Sequence, residues 1–205
     1  MSPSASGPSG KPEPSARFVA SYPDATIRLD PPLPEIALLG RSNVGKSSLL
    51  NALTRKKGLA KVSATPGKTR LMNVFQLPNG YLLDLPGYGW AKASQGERAA
   101  FRKLLETCLR QREHLVGVVW LLDIRHAPSE DDYKVQELLV ETGRPALTIL
   151  TKADKFPRAK RLAAARSRAT ELGLGLDEVL ITSARTGEGL QDLRESIQRH
   201  LTFER

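Results

Sequence analysis

Apolar residues in this chain follow two alternating patterns. Short continuous runs at 35–39 (EIALL), 116–122 (VGVVWLL), 146–150 and 179–181 predict buried strands. The segments 71–77 and 81–85 flank Pro78, Asn79 and Gly80, which predicts an antiparallel hairpin. Between these lie stretches with apolar residues every three or four positions. Phe101, Leu104, Leu105, Cys108 and Leu109 share one helical face, and Leu190, Leu193, Ile197 and Leu201 stripe a final helix. Ser129 with Asp132 forms the capping-box pattern ahead of a helix through Leu138 and Leu139. Further helices are predicted over 46–53, directly out of a glycine-rich turn, and over 158–172. In the latter, a helical wheel places Leu162, Ala165, Ala169 and Leu172 on the buried side.

Strands alternating with helices imply an α/β fold, here a six-stranded, mostly parallel sheet with helices on both faces. Ligands of such sheets sit beyond the carboxyl ends of the strands. The segments after Leu39, Leu83, Leu150 and Ile181 should therefore border one crevice. The first sixteen residues, rich in Ser, Pro, Gly and Ala, have neither periodicity nor enough apolar surface to fold. Residues 1–17 are expected to be a disordered tail without a secretory signal pattern, and 18–205 the folded domain.

Composition narrows the class further. With 205 residues, 40% of them hydrophobic, the chain can bury a real core, and no apolar stretch is long enough to span a membrane. The single cysteine, Cys108, excludes an intramolecular disulfide and reads as a core thiol in a reducing, cytoplasmic setting. A net charge of +9 favours an anionic partner.

The chemistry concentrates at strand ends. Gly40-Arg41-Ser42-Asn43-Val44-Gly45-Lys46-Ser47 fits the phosphate-binding pattern G-x-x-x-x-G-K-[ST] between a predicted strand and a predicted helix. Its backbone N–H groups would surround phosphates, Lys46 would reach the β- and γ-phosphates, and the Ser47 hydroxyl would ligate Mg²⁺. Asp84-Leu85-Pro86-Gly87 has the D-x-x-G form: Asp84 would hold Mg²⁺ through water, and the Gly87 N–H would sense the γ-phosphate. Thr151-Lys152-Ala153-Asp154 ends another strand in the T-K-x-D form. A carboxylate there accepts from guanine N1–H and its exocyclic amine, a donor pair that adenine lacks. Thr182-Ser183-Ala184 follows the last strand, where backbone N–H groups could meet the guanine oxygen.

In this order the motifs resemble the EngB (YihA/YsxC) family of bacterial ribosome-biogenesis GTPases, P-loop NTPases with a G-domain fold. The resemblance rests on GRSNVGKSS at 40–48, TPGKTR at 65–70, DLPGYGWA at 84–91, LLDIRHAPSEDD at 121–132 and LTKADK at 150–155. It implies that Thr69, within Gly67-Lys68-Thr69-Arg70-Leu71, is the switch I threonine that completes the Mg²⁺ shell with Ser47. It also implies GTP and GDP as ligands and the large ribosomal subunit or its precursor, through rRNA, as partner. A monomer is expected, with switches at 61–70 and 84–100. Related GTPases with an asparagine at the position of Asn43 use it to hold K⁺, so Asn43 is a candidate K⁺ ligand and, equally, a turn residue. Thr151 replaces the usual asparagine, which is expected to weaken bracing of the phosphate loop.

Lys46, Thr69 and Gly87 are the catalytic candidates. Tyr88 stands where many GTPases place a water-orienting glutamine, so intrinsic hydrolysis is expected to be slow. Tyr88 and Trp90 either dock a partner or pack against the next helix. The basic residues between 152 and 168, with Lys61, Lys68 and Arg70, suit diffuse contacts to RNA phosphates or a merely solvated face. His114, His126 and His200 lack metal-ligand spacing. Two alternatives stay open: a GTP-gated module for a protein partner in cell division or signalling, and a small-molecule kinase, which would not need Asp154.

Overall fold

The computed structural model describes residues 16–60, 71–89 and 94–202. Its sheet has seven strands: β1 (Arg17–Tyr22), β2 (Glu35–Gly40), β3 (Met72–Leu77), β4 (Gly80–Asp84), β5 (Leu115–Asp123), β6 (Ala146–Thr151) and β7 (Val179–Ile181). Among the described residues five α-helices surround it: α1 (Lys46–Leu53), α2 (Gln95–Gln111), α3 (Glu130–Thr142), α4 (Arg161–Glu171) and α5 (Leu190–Thr202). The spatial order is β1-β3-β4-β2-β5-β6-β7. The β1–β3 and β3–β4 pairs are antiparallel and the rest parallel.

Period-2 alternation in the central strands divides the core into two layers. Ala37 and Leu39 of β2, with Val118 and Trp120 of β5, meet α2, α3 and α4. Ile36 and Leu38, with Val119 and Leu121, meet α1 and α5 on the opposite face. Every residue of β2 is buried, as expected of a strand covered on both sides.

The fold departs from the expected pattern at two places. The sheet has seven strands because Arg17–Tyr22 adds an antiparallel edge, held by Arg17 Nε on Gln76 (2.8 Å), Ser21 Oγ on Asn73 (2.6 Å) and the edge-on Phe18–Phe75 contact. Its side chains are mostly exposed, and its apolar run is only the three residues 18–20, next to the Ser- and Pro-rich start of the chain. Leu162 is 52% exposed and off the buried face, while Ala165, Ala169 and Leu172 are buried. It lies in the first turn of α4, and a wheel reports direction around a helix but not depth along it. The capping box at Ser129 and Asp132 is present, and a second one, Ser94 with Glu97, opens α2.

Cys108 is fully buried on α2, and burial pushes its thiol up to about 12. The thiolate is therefore essentially absent at pH 8, and an aromatic disulfide reagent should leave the native protein unmodified. Full reaction should appear only after denaturation. Rapid labelling of the folded chain would contradict this placement.

Candidate functional site

The carboxyl ends of β2, β4, β6 and β7 deliver the motifs to one edge of the sheet. Gly40, the last residue of β2, passes into a turn in which Asn43 (φ 62°) and Gly45 (φ 107°) take positive φ. Glycine reaches such angles without strain, and asparagine tolerates the left-handed region better than most side chains. The turn opens α1, whose first turn presents the N–H groups of Lys46 and Ser47 at the positive end of the helix dipole. Lys46 Nζ pairs with Asp84 Oδ1, and Asn73 Nδ2 donates to Asp84 Oδ2 at 3.3 Å. The structure thus brings together the lysine and the aspartate that the sequence assigns to phosphate and Mg²⁺.

The D-x-x-G segment is seated on the phosphate loop. Ser42 N–H donates to the Tyr88 carbonyl at 2.8 Å, and Tyr88 N–H donates to the Gly40 carbonyl at 3.3 Å. A Cβ on Gly87 would lie 3.0–3.1 Å from Ser42 N, Cα and Oγ, so glycine is what permits the approach. Tyr88 itself is 5% exposed and tilts against Phe101 of α2, with ring centroids 5.9 Å apart. Its hydroxyl donates to Asp132 Oδ1 (2.7 Å) and accepts from Trp120 Nε1 (2.8 Å). Burial, then the Asp132 charge and hydrogen bond, hold this phenol well above its ordinary range, so it stays neutral. Of the two roles open to Tyr88 in the sequence, packing is the one adopted. Trp90 lies outside the described residues.

The phosphate loop keeps its brace despite the missing asparagine. Thr151 Oγ1 lies 2.7 Å from the Val44 carbonyl and 3.1 Å from that of Leu122, and its single proton can go to either. The hydroxyl thus reaches the phosphate loop in place of the missing amide. Lys152, in the left-handed region at φ 61°, adds Nζ bonds to the Asn43 carbonyl (2.5 Å) and Asp123 Oδ2 (3.0 Å). Burial works against the charge on Asp123, but hydrogen bonds from Arg125 and Lys152 hold its carboxyl below the usual carboxylate range. The sequence reading assigned Asp123 no role. Its position at the carboxyl end of a parallel strand was the available signal. Replacing Thr151 by Val should lower nucleotide affinity about three- to tenfold, the value of one buried hydrogen bond, as read by titration with a fluorescent GDP. Unchanged affinity would remove the brace from the argument.

Asp154 follows β6, with Oδ1 accepting from Ser183 Oγ at 2.8 Å and Oδ2 lying 3.8 Å from Nη1 of the exposed Arg185. The Thr182 and Ser183 N–H groups are committed to the Leu150 and Glu188 carbonyls, at 2.8 and 3.0 Å. Within that triplet, Ala184 alone has an N–H with no carbonyl partner among the described residues, so only it can offer the expected donor. Leu71 is 37% exposed just ahead of β3. Gly67, Lys68, Thr69 and Arg70 lie outside the described residues, as does Lys61. Two cations of α4 are engaged within the chain: Arg161 with Glu188 (2.5 Å) and Arg168 with Glu171 (2.5 Å).

The family model described as a 50S ribosome-binding GTPase matches residues 35–152. A probable GTP-binding protein EngB from Pelotomaculum thermopropionicum is 48% identical over 188 residues, 90% of this chain and 91% of that protein. This chain belongs to the EngB family. A second member, from Gemmatimonas aurantiaca, is 45% identical over 88% of this chain and 91% of its own length. Among solved structures, a probable GTP-binding protein EngB aligns at TM-score 0.68 and 22% identity, covering 82% of this chain and 98% of that one. That likeness shows the fold alone. Era in complex with MgGDPNP and nucleotides 1506–1542 of 16S ribosomal RNA aligns at TM-score 0.66 and 25% identity, over 84% of this chain and 58% of Era. The protein is a P-loop GTPase that binds guanine nucleotide, and no helix among the described residues is long and apolar enough to cross a membrane.

Proposed function

We propose that this chain is a nucleotide-dependent switch in assembly of the large ribosomal subunit, acting as a cytoplasmic monomer that binds rRNA in its GTP form and hydrolyses GTP slowly. The observation that carries the switch is the seat of Gly87 and Tyr88 on Ser42 of the phosphate loop. A γ-phosphate bound there meets the Gly87 N–H, so its presence or loss bears directly on the segment leading into α2. The family description as 50S ribosome-binding supports the large subunit as partner, while the 16S rRNA bound to the related Era and the +9 charge support contact with RNA in general.

In this reading Lys46 contacts the β- and γ-phosphates and Asp154 selects guanine. Ser47, Thr69 and Asp84 are the residues that would hold Mg²⁺, which neutralises phosphate charge when bound. Asp84 Oδ1 pairs with Lys46 and Oδ2 accepts from Asn73 Nδ2; when Lys46 turns to the phosphates, Oδ1 is left to hold a cation through water. The exposed Asn43 amide is the group through which K⁺ would act. Slow hydrolysis follows from Tyr88, whose hydroxyl is spent on Asp132 and Trp120 and cannot orient water.

Co-sedimentation with purified ribosomal subunits tests this. Loaded with a non-hydrolysable GTP analogue, the chain should pellet with large subunits; with GDP it should remain in the supernatant. Indifference to the nucleotide, or preference for the small subunit, would overturn the reading.

A further inference from the structure

Between α2 and α3 runs a groove that the nucleotide site does not use. Its floor is Tyr88, Phe101, Leu105, Val135 and Leu138, and Gly87 and Gly89 close one end. Phe101 is half-buried, while the other four floor residues are buried. The volume, about 260 Å³, falls just short of the roughly 300–1,000 Å³ of small-molecule sites. It suits one or two anchoring side chains of a macromolecule rather than a free metabolite.

The charge of the lining decides what kind. Five carboxylates face three cations there, or four with the Arg110 that pairs with Glu141, so the groove is net acidic in a protein whose net charge is +9. Three of the acids, Asp131, Glu137 and Glu141, come from α3, and Glu141 reaches across to Arg110 of α2 at 2.9 Å. A phosphate backbone would meet net repulsion in this groove, whereas cationic side chains flanking an apolar anchor would match it.

We propose that the α2–α3 groove is the docking site of a cationic protein segment carrying an apolar anchor, separate from the surface that meets RNA, and that nucleotide state controls it through Tyr88. The proposal deepens the switch reading and rests on it for its nucleotide dependence. Tyr88 floors the groove and bonds through its backbone to Ser42 of the phosphate loop, at 2.8 Å. Its hydroxyl grips Asp132, whose other carboxylate oxygen accepts from Ser129 N–H and Oγ, both at 2.7 Å, at the cap of α3. One residue therefore touches the phosphate loop, the groove and the helix that carries most of the acidic rim.

The test is a titration of the full chain, loaded with a GTP analogue or with GDP, with a labelled lysine-rich peptide containing a central phenylalanine. Methyl resonances of Leu105, Val135 and Leu138 report the site. The peptide should shift these methyls, more tightly in the GTP-analogue form. Glu137→Lys should weaken binding about three- to tenfold and Lys134→Glu should strengthen it, with basal GTP hydrolysis unchanged in both. Absence of shifts at these methyls, or insensitivity to both substitutions, overturns the proposal. A labelled rRNA fragment run in parallel gives the opposite case: if it shifts the same methyls, and Glu137→Lys strengthens its binding, the groove takes nucleic acid and the proposal fails. Subunit co-sedimentation tests the ribosomal reading separately, since the peptide result does not depend on it.

Discussion

Replacing Asp154 by Asn should lower GTP affinity by about 10²–10⁴-fold and raise affinity for XTP. The carboxylate offers two acceptors to the N1–H and amino group of guanine, and hydrogen bonds to a charged group are worth about 1.5–3 kcal/mol each. An amide at this position turns one acceptor into a donor and faces it toward the amino group. Xanthine carries a carbonyl there, so it gains what guanine loses. The rest of the site should stay intact, because Ser183 Oγ still finds an acceptor and the loop brace runs through Thr151, outside the base contacts. Competitive titration of wild type and variant with GTP, XTP and ATP reads this out. GTP affinity within threefold of wild type would take guanine selection away from Asp154.

The second large effect lies at the opposite end of the sheet. Glu35 at the start of β2 and Arg112 at the end of α2 form a two-pronged pair, Nε–Oε2 2.5 Å and Nη2–Oε1 2.7 Å, with side chains only 3% and 5% exposed. Arg112 Nη1 also donates to the Ala25 and Ile27 carbonyls, at 2.6 and 3.0 Å, so the pair fastens the segment between β1 and β2 to the core. Removing one partner leaves the other charge buried, which costs about 3–5 kcal/mol. Glu35→Ala should therefore lower the Tm by roughly 6–20 °C in a chain of this size. Arg112→Lys should rescue little, since an ammonium cannot reproduce the planar fork. The folded fraction should bind nucleotide normally, because Glu35 begins the strand that Gly40 ends. A loss under about 1 kcal/mol in urea unfolding would contradict the buried pair.

Local sequence patterns make most of the fold legible. The run EIALLG with G-x-x-x-x-G-K-S behind it places β2, the phosphate loop and α1 within a few residues of their observed bounds. The same holds for β5 and β6, whose apolar runs reflect burial on both faces, and for the partly buried edge strand β7. What stayed illegible depends on partners remote in sequence. Arg17–Tyr22 becomes a strand only because β3 pairs with it. The sequence left Tyr88 open between docking and packing, since its hydroxyl partner Asp132 lies 44 residues away. The Thr151 brace spans 107 residues to Val44, which no local motif records. The commitment of the Thr182 and Ser183 N–H groups to carbonyl partners is likewise tertiary.

The central claim is that one crevice couples guanine nucleotide to a ribosomal partner, and coupling between two ligands is reciprocal. The most direct measurement is therefore the affinity of the chain for a GTP analogue and for GDP, each with and without saturating large ribosomal subunits. The account predicts that subunits tighten the GTP analogue by the factor that the analogue tightens the subunits, with GDP affinity unchanged or lowered. Equal effects on both nucleotides, or none, would contradict it.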